Sequence, residues 1–349
     1  MKVGKFEIGK GKVFIIAELS ANHNQQIEVA KDTIRAAKRC GADAVKLQTY
    51  TADTITLKSN QPDFVLNQGT IWDGKTLHDL YLEAFTPWEW HKELMDLAKE
   101  LGLICFSSPF DKTAVDFLEN LDVPAYKIAS FEITDIPLIK YTASKGKPII
   151  ISTGIADAND IQMAVDACKS VGNDDIILLK TSSQYPAIIE DANMLMIPEL
   201  ARKYDVLAGL SDHTKELTVP MVATSLGATV IEKHIILDKS IGGPDASFSL
   251  DEAEFKEMVT AVREVEKSLG VIDFSLSEKA KISRQFSRSL YVCEDVQKGD
   301  VVNEQNVRSI RPGFGLHPVN FELVMGAEFI NKVDKGSRLI WDDLKIKKD

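Results

Sequence analysis

The chain is short of cysteine, short of positive charge, and without a long apolar run. Its four cysteines (Cys40, Cys105, Cys168 and Cys293) form no CxxC pair, so they read as reduced thiols of a cytoplasmic protein. Lysine and arginine number 41 against 52 aspartates and glutamates, a formal charge of −11. That balance argues against a nucleic-acid surface. It leaves small anionic substrates open, because a local cluster of lysines can outvote the net charge. No stretch is long enough to span a membrane. The N-terminal run VFIIA (13–17) is short and stops at Glu18, so no signal peptide is expected. There is no low-complexity tract. There is also no GxGxxG turn after the first apolar run, which counts against a doubly wound open sheet, the second choice of fold.

What is present is a chain of 349 residues, 44% hydrophobic, enough for one large domain and a small one. Eight short β-rich runs alternate with helical patterns: VFIIAELS (13–20), AVKLQTY (44–50), ICFSSP (104–109), AYKIAS (125–130), PIIIST (148–153), IILLKTS (176–182), LAGLSDH (207–213) and TVIEKH (229–234). Two of the amphipathic segments between them, IEVAKDTIRAAKRC and WEWHKELMDLAKEL, stop at a glycine. Strand–helix alternation repeated eight times predicts a (β/α)8 TIM barrel, an α/β fold, over residues 1–270. Residues 51–90 form a long insertion holding Trp72, Trp88 and Trp90, which reads as a lid or as a surface excursion. Residues 271–287 read as a linker. Residues 288–349, with KGD and KGS turns around RPGFGLHP, read as a small β-rich domain.

Every run turns polar at its C-terminal end: Glu18, Lys46 with Gln48, Ser107 with Ser108, Lys127 with Ser130, Ser152, Thr181 with Ser182, Ser211 with His213, and Glu232 with His234. In a barrel clothed by helices, all of these are expected to crown the mouth. Side chains two apart on a strand share a face, so Ser211 and His213, and Glu232 and His234, form two polar pairs on adjacent strands. Two histidines suit a divalent metal with open positions. Lys46 and Lys127, among Ser108, Ser130, Ser152 and Ser211, suit a phosphate or carboxylate. Glu18, Glu132, Glu232 and Asp245 are candidates for acid–base work or for binding sugar hydroxyls. A Schiff-base aldolase built on Lys127 or Lys180 is the alternative chemistry, but it leaves the histidines unexplained.

The segments AELSANHNQ (17–25), KLQTY (46–50), SSPFD (107–111), YKIAS (126–130), STG (152–154), GLSDHT (209–214), EKH (232–234) and GGPDASFSL (242–250) resemble the sialic acid synthases. The stretch around RPGFG resembles their SAF, or antifreeze-like, domain. The resemblance covers nearly the whole chain. It implies condensation of phosphoenolpyruvate with an N-acetylated hexose to a nine-carbon 2-keto acid. Carbon 3 of phosphoenolpyruvate would attack the aldehyde of the open sugar, water would add at C2, and phosphate would leave with C–O cleavage. His213 and His234 would ligate Mn²⁺ or Mg²⁺. Lys46, Ser108, Lys127, Ser130, Ser152 and Ser211 would hold phosphoenolpyruvate. Glu18, Gln48, Glu132, Tyr185, Glu232 and Asp245 would face the sugar and the reacting carbons. Arg311 would reach from the small domain onto an N-acetyl group in the partner chain, in a domain-swapped homodimer. Residues 72–90 are similar to the branch that takes 2,4-diacetamido-2,4,6-trideoxy-L-altrose to pseudaminic acid. The neuraminate and legionaminate branches are the alternatives. A non-catalytic binding protein, suggested by the ice-binding relatives of the small domain, would not need the two-histidine, two-lysine array.

Overall fold

The computed structural model describes residues 1–67, 69, 72–184 and 186–346. The chain divides into two compact units, Met1–Gly270 and Val271–Asp349.

The first unit is a closed barrel of eight parallel strands: β1 (Phe14–Glu18), β2 (Ala44–Thr49), β3 (Ile104–Pro109), β4 (Tyr126–Ile128), β5 (Ile149–Ser152), β6 (Ile176–Thr181), β7 (Leu207–Asp212) and β8 (Val230–His234). Each strand pairs with its sequence neighbours, and β8 closes on β1 in the register Val230↔Phe14 to His234↔Glu18. Among the described residues, eight helices clothe it: α1 (Ile27–Cys40), α2 (His91–Glu100), α3 (Lys112–Asn120), α4 (Ile136–Ala143), α5 (Ala158–Lys169), α6 (Met196–Tyr204), α7 (Thr218–Ser225) and α8 (Glu252–Leu269). Their caps are written into the sequence. Helix α1 ends where Gly41 takes φ 88° and returns its N–H to the last turn. Helix α8 starts at Asp251, whose carboxylate accepts from Glu254 N in a capping box.

Strand alternation sorts the core into two layers. Ile15, Ala17, Val45, Leu47, Ile151, Leu178, Leu210 and Ile231 face outward and pack on Ile34, Leu94, Ile139, Val165, Leu200, Val219 and Phe255 of the helices. Phe14, Ile16, Ala44, Phe106, Ile150, Ile177, Leu179 and Val230 face inward. The inner layer is stoppered by an N-terminal hairpin pairing Lys2–Val3 with Phe6–Glu7, which no periodicity in the sequence announces. Its Val3 and the following Ile8 join the inner cluster. At Gly209 of β7, a Cβ would lie 2.4 Å from the Val230 carbonyl, so no larger residue fits there without a shift.

Among the described residues, the insertion after β2 carries two short α-helices, Ala52–Ile55 and Leu77–Ala84. Its three tryptophans go different ways. Trp88 donates to Tyr50 O at 3.0 Å and stacks on Phe117, and Trp90 meets the edge of His23. Both therefore serve the helix layer. Trp72 donates to Pro244 O at 3.3 Å, beside Asp245.

The second unit is built from short elements: a helix at Glu278–Ser283, an antiparallel pair of Ser289–Val292 with Val307–Ile310, and another of Glu328–Phe329 with Leu344–Lys345. Leu290, Val292, Val307, Val324, Phe329 and Leu339 form its core. Among the described residues, no helix is long and apolar enough to cross a membrane.

Candidate active site

The inward alternation that ends in apolar side chains at mid-barrel continues in polar ones at the strand C-termini. Glu18 and Lys46 are register partners, as are Gln48 and Ser108, and Ser211 and Glu232. These side chains meet. Lys46 Nζ lies 2.6 Å from Glu18 Oε2 and 3.2 Å from Glu232 Oε1, and donates to Ser108 Oγ at 3.4 Å. Lys127 Nζ donates to Ser152 Oγ at 2.7 Å and lies 3.5 Å from Glu232 Oε1. Ser211 Oγ donates to the same Glu232 oxygen at 3.2 Å. Glu232 thus bridges two buried lysines. Burial alone would raise its carboxyl, but the Lys127 and Lys46 charges hold it well below the usual carboxylate range. Burial pulls the Lys46 ammonium down to about 7, against the attraction of Glu232.

This cluster is poised for exchange. Among the described residues the two lysines face carboxylates and hydroxyls of the same mouth, and a ligand carrying phosphate and carboxylate can offer them charge-assisted bonds of the same kind. Ser130 lies beside it on the turn after β4, accepting from Ser183 Oγ at 2.9 Å. A Cβ at Gly154 would come within 2.6 Å of Ser130 Oγ and still closer to Ser183 Oγ, so the two hydroxyls rest against bare backbone. Ser183 was not expected from the sequence, where one more serine in a loop carries no signal.

From Glu18 a chain of polar groups continues along the mouth. Gln48 Nε2 donates to Glu18 Oε1 at 3.2 Å and to Ser20 Oγ at 3.0 Å. Ser20 Oγ in turn donates to Asp245 Oδ2, which also accepts from Ala21 N at 3.3 Å. Burial raises the Asp245 carboxyl above its usual range, although those two bonds oppose the shift. Asn22 explains much of the AELSANHN segment. Its Nδ2 donates to Ile235 O at 2.9 Å and Ser249 Oγ at 2.7 Å, and Ser249 Oγ donates to Asp245 O. Asn22 thereby ties the loop after β1 to the loop that presents Asp245. Glu132, half-buried, has its carboxyl pushed up to about 7 by burial, against the pull of Lys127.

His213 and His234 stand side by side, ring centroids 5.3 Å apart, with the Phe248 ring edge-on to both. Burial lowers His213 to about 4 and His234 well below its ordinary value, so both rings are neutral at pH 7. His213 Nδ1 donates to Ser182 O at 2.8 Å, which places that ring's lone pair on Nε2. His234 Nδ1 is buried with no hydrogen-bond partner among the described residues. Neutral, oriented imidazoles with a buried unsatisfied nitrogen are a donor set that fits a divalent ion. Among the described residues, no group of three His, Cys, Asp or Glu gathers to hold a metal. An ion held by the two rings would therefore keep positions open for water and substrate.

Not every polar strand end crowns the mouth. Ser107 faces the helices, where its Oγ meets Thr49 Oγ1 at 2.7 Å, and Thr49 meets His91 Nε2 at 2.8 Å. Lys180 shares the outward face of Leu178 and donates to Thr181 O at 3.0 Å, which removes it as a Schiff-base candidate. Both corrections have one cause: alternation sends the neighbour of an inward residue outward, and the outer layer accepts a polar group that finds a partner there. Tyr185 lies outside the described residues. Arg311 belongs to the second unit and is exposed there. Its loop is pinned by Ser289 Oγ, which donates to Pro312 O at 2.6 Å and accepts from Gly315 N at 2.9 Å.

The NeuB family model matches residues 33–273 and the SAF domain model matches residues 287–345. The chain is 46% identical to a pseudaminic acid synthase of Campylobacter jejuni, over 99% of this chain and 100% of the relative. It is 36% identical to an N,N'-diacetyllegionaminic acid synthase of Legionella pneumophila, over 95% and 94%. Among solved structures it is similar to the N-acetylneuraminic acid (sialic acid) synthetase of Leptospira borgpetersenii, with TM-score 0.72 and 29% identity over 81% of this chain and 94% of that one.

Proposed function

Since the chain belongs to the NeuB family, we propose that it is a transferase condensing phosphoenolpyruvate with an open-chain N-acetylated sugar to a nine-carbon 2-keto sugar acid, releasing phosphate. The observation that carries this reading is the pair of buried lysines, bridged by Glu232 and lined by Ser108, Ser152 and Ser211, beside two neutral histidines. Lys46 and Lys127 take the phosphate and carboxylate of phosphoenolpyruvate, with Ser130 among the hydroxyls that complete its cradle. Glu18, Gln48 and Asp245 face the sugar. His213 and His234 would hold Mn²⁺ or Mg²⁺, which would supply Lewis-acid polarisation of the sugar aldehyde. The chain's own groups fix carbon 3 of phosphoenolpyruvate against the aldehyde carbon, and that positioning supplies much of the rate. Glu132, with its carboxyl near neutrality, is suited to hold a proton at the reacting centre.

The graded identities favour the 2,4-diacetamido-2,4,6-trideoxy-L-altrose branch, with pseudaminic acid as product. Trp72, tied to the loop of Asp245, offers apolar surface to a sugar that lacks a 6-hydroxyl. The same family reading makes the protein a cytoplasmic, domain-swapped homodimer. The test is incubation with phosphoenolpyruvate, Mn²⁺ and a panel of hexoses: the altrose derivative, N-acetylmannosamine, and the diacetamido sugar of the legionaminate branch. Phosphate release is the readout. Release with the altrose derivative alone supports the full reading. Release with another sugar alone moves the chain to that branch, and release with none refutes the activity.

A further inference from the structure

Asp212 and Lys233 each immediately precede a mouth histidine, and strand alternation sends both away from the mouth into the helix layer. They are register partners on β7 and β8. Lys233 is wholly buried, and its Nζ lies 2.6 Å from Asp212 Oδ2. The same ammonium donates to Thr214 O, and Asp212 Oδ1 accepts from Thr214 N at 2.9 Å. The pair therefore grips both backbone groups of Thr214. That closes the turn carrying His213 and fastens it to the strand carrying His234.

The neighbouring outward positions, Leu210 and Ile231, are apolar. A buried ion pair in such a layer is on average no more stabilising than an apolar pair of equal volume. What an apolar pair cannot do is hold Thr214 N and O in place. We propose that Lys233 and Asp212 are positioning residues, fixing the distance and orientation of the His213 and His234 rings so that both can reach one divalent cation. This rests on the reading that those histidines hold the metal.

The test is Mn²⁺ titration of the metal-stripped protein, with free Mn²⁺ followed by electron paramagnetic resonance and melting temperature measured in parallel. No binding by the wild type overturns the metal reading and this inference with it. Given one site per wild-type chain, Asp212→Asn keeps the shape and the Thr214 N bond but loses the charge. By replacing the carboxylate that faces the Lys233 ammonium it slackens the tie between the two histidine-bearing strands, and it should weaken Mn²⁺ binding about tenfold, the lower end of the range for groups that orient metal ligands. Lys233→Met alone should lower the melting temperature by stranding a buried carboxylate. The double variant Asp212→Leu with Lys233→Met should recover much of that stability while still binding Mn²⁺ weakly. A purely structural pair predicts the reverse, affinity returning with stability. Wild-type affinity in a folded Asp212→Asn protein, or in the double variant, overturns the proposal. If the double variant does not fold, Asp212→Asn decides.

Discussion

At the scale of single residues, the site divides its charges by task. Lys127 is anchored by Ser152 and Glu232. On the proposed reading it gives one charge-assisted bond to phosphoenolpyruvate and none to the sugar. Such a bond contributes about 1.5–3 kcal/mol, or roughly ten- to a hundredfold in affinity. Lys127→Met should raise KM for phosphoenolpyruvate by that factor and leave KM for the sugar near its wild-type value. Steady-state kinetics with each substrate varied will show it, and equal rises in both would mean the lysine shapes the whole mouth. Glu132 makes a different prediction. Burial lifts its carboxyl from an ordinary 4.5 to about 7 in the folded protein. The folded state therefore holds that proton more tightly than the unfolded one, and stability is lost as pH rises from about 4.5 through 7. Glu132→Gln removes the penalty. It should melt higher than wild type at pH 8, with the difference vanishing toward pH 4.5, while turnover falls. A gain in stability at the cost of activity marks a group kept for function.

At the scale of elements, the barrel has a catalytic end and a stoppered end, and the two should respond separately to mutation. Ile8, in the inner cluster with Phe14 and Val230, belongs to the stopper. Ile8→Ala should cost about 2–5 kcal/mol of stability, read in a denaturant melt, and leave both KM values unchanged. The strands themselves were legible because each is a short apolar run between helices of clear period and recognisable caps, and the polar residue ending each run announced the mouth. Three things were not legible. The hairpin at Lys2–Glu7 uses two-residue strands, too short to show a period of two. Ser107 and Lys180 sit in the same polar strand ends as true mouth residues, and only the register tells inward from outward. The separate fates of Trp72 and Trp88 depend on contacts with Pro244 and Phe117, remote in sequence, which no local pattern encodes.

At the scale of the whole molecule, the second unit has a core of its own but a small one, and the connection leading into it exposes Val271, Ile272 and Phe274 almost completely. Exposed apolar residues in a row favour burial against another surface. Arg311 sits on a loop held by Ser289 and Gln285, so its guanidinium starts from a fixed base. If the small domain of one chain serves the barrel of the other, defects in Arg311 and in His213 must complement between chains. Arg311→Ala and His213→Ala homodimers should each be nearly inactive. Mixed under conditions that exchange subunits, half the dimers become heterodimers. In each of these, one site combines an intact His213 with an intact Arg311, and the other lacks both. Activity should then return to about a quarter of wild type on statistical mixing of a two-fold dimer. If Arg311 serves its own barrel, every site in the mixture lacks one group, and exchange restores nothing. Subunit exchange, followed by native mass spectrometry of size-tagged chains, must be complete before the activity is read. Full exchange without recovery would refute the swapped arrangement while leaving the chemistry of the barrel mouth untouched.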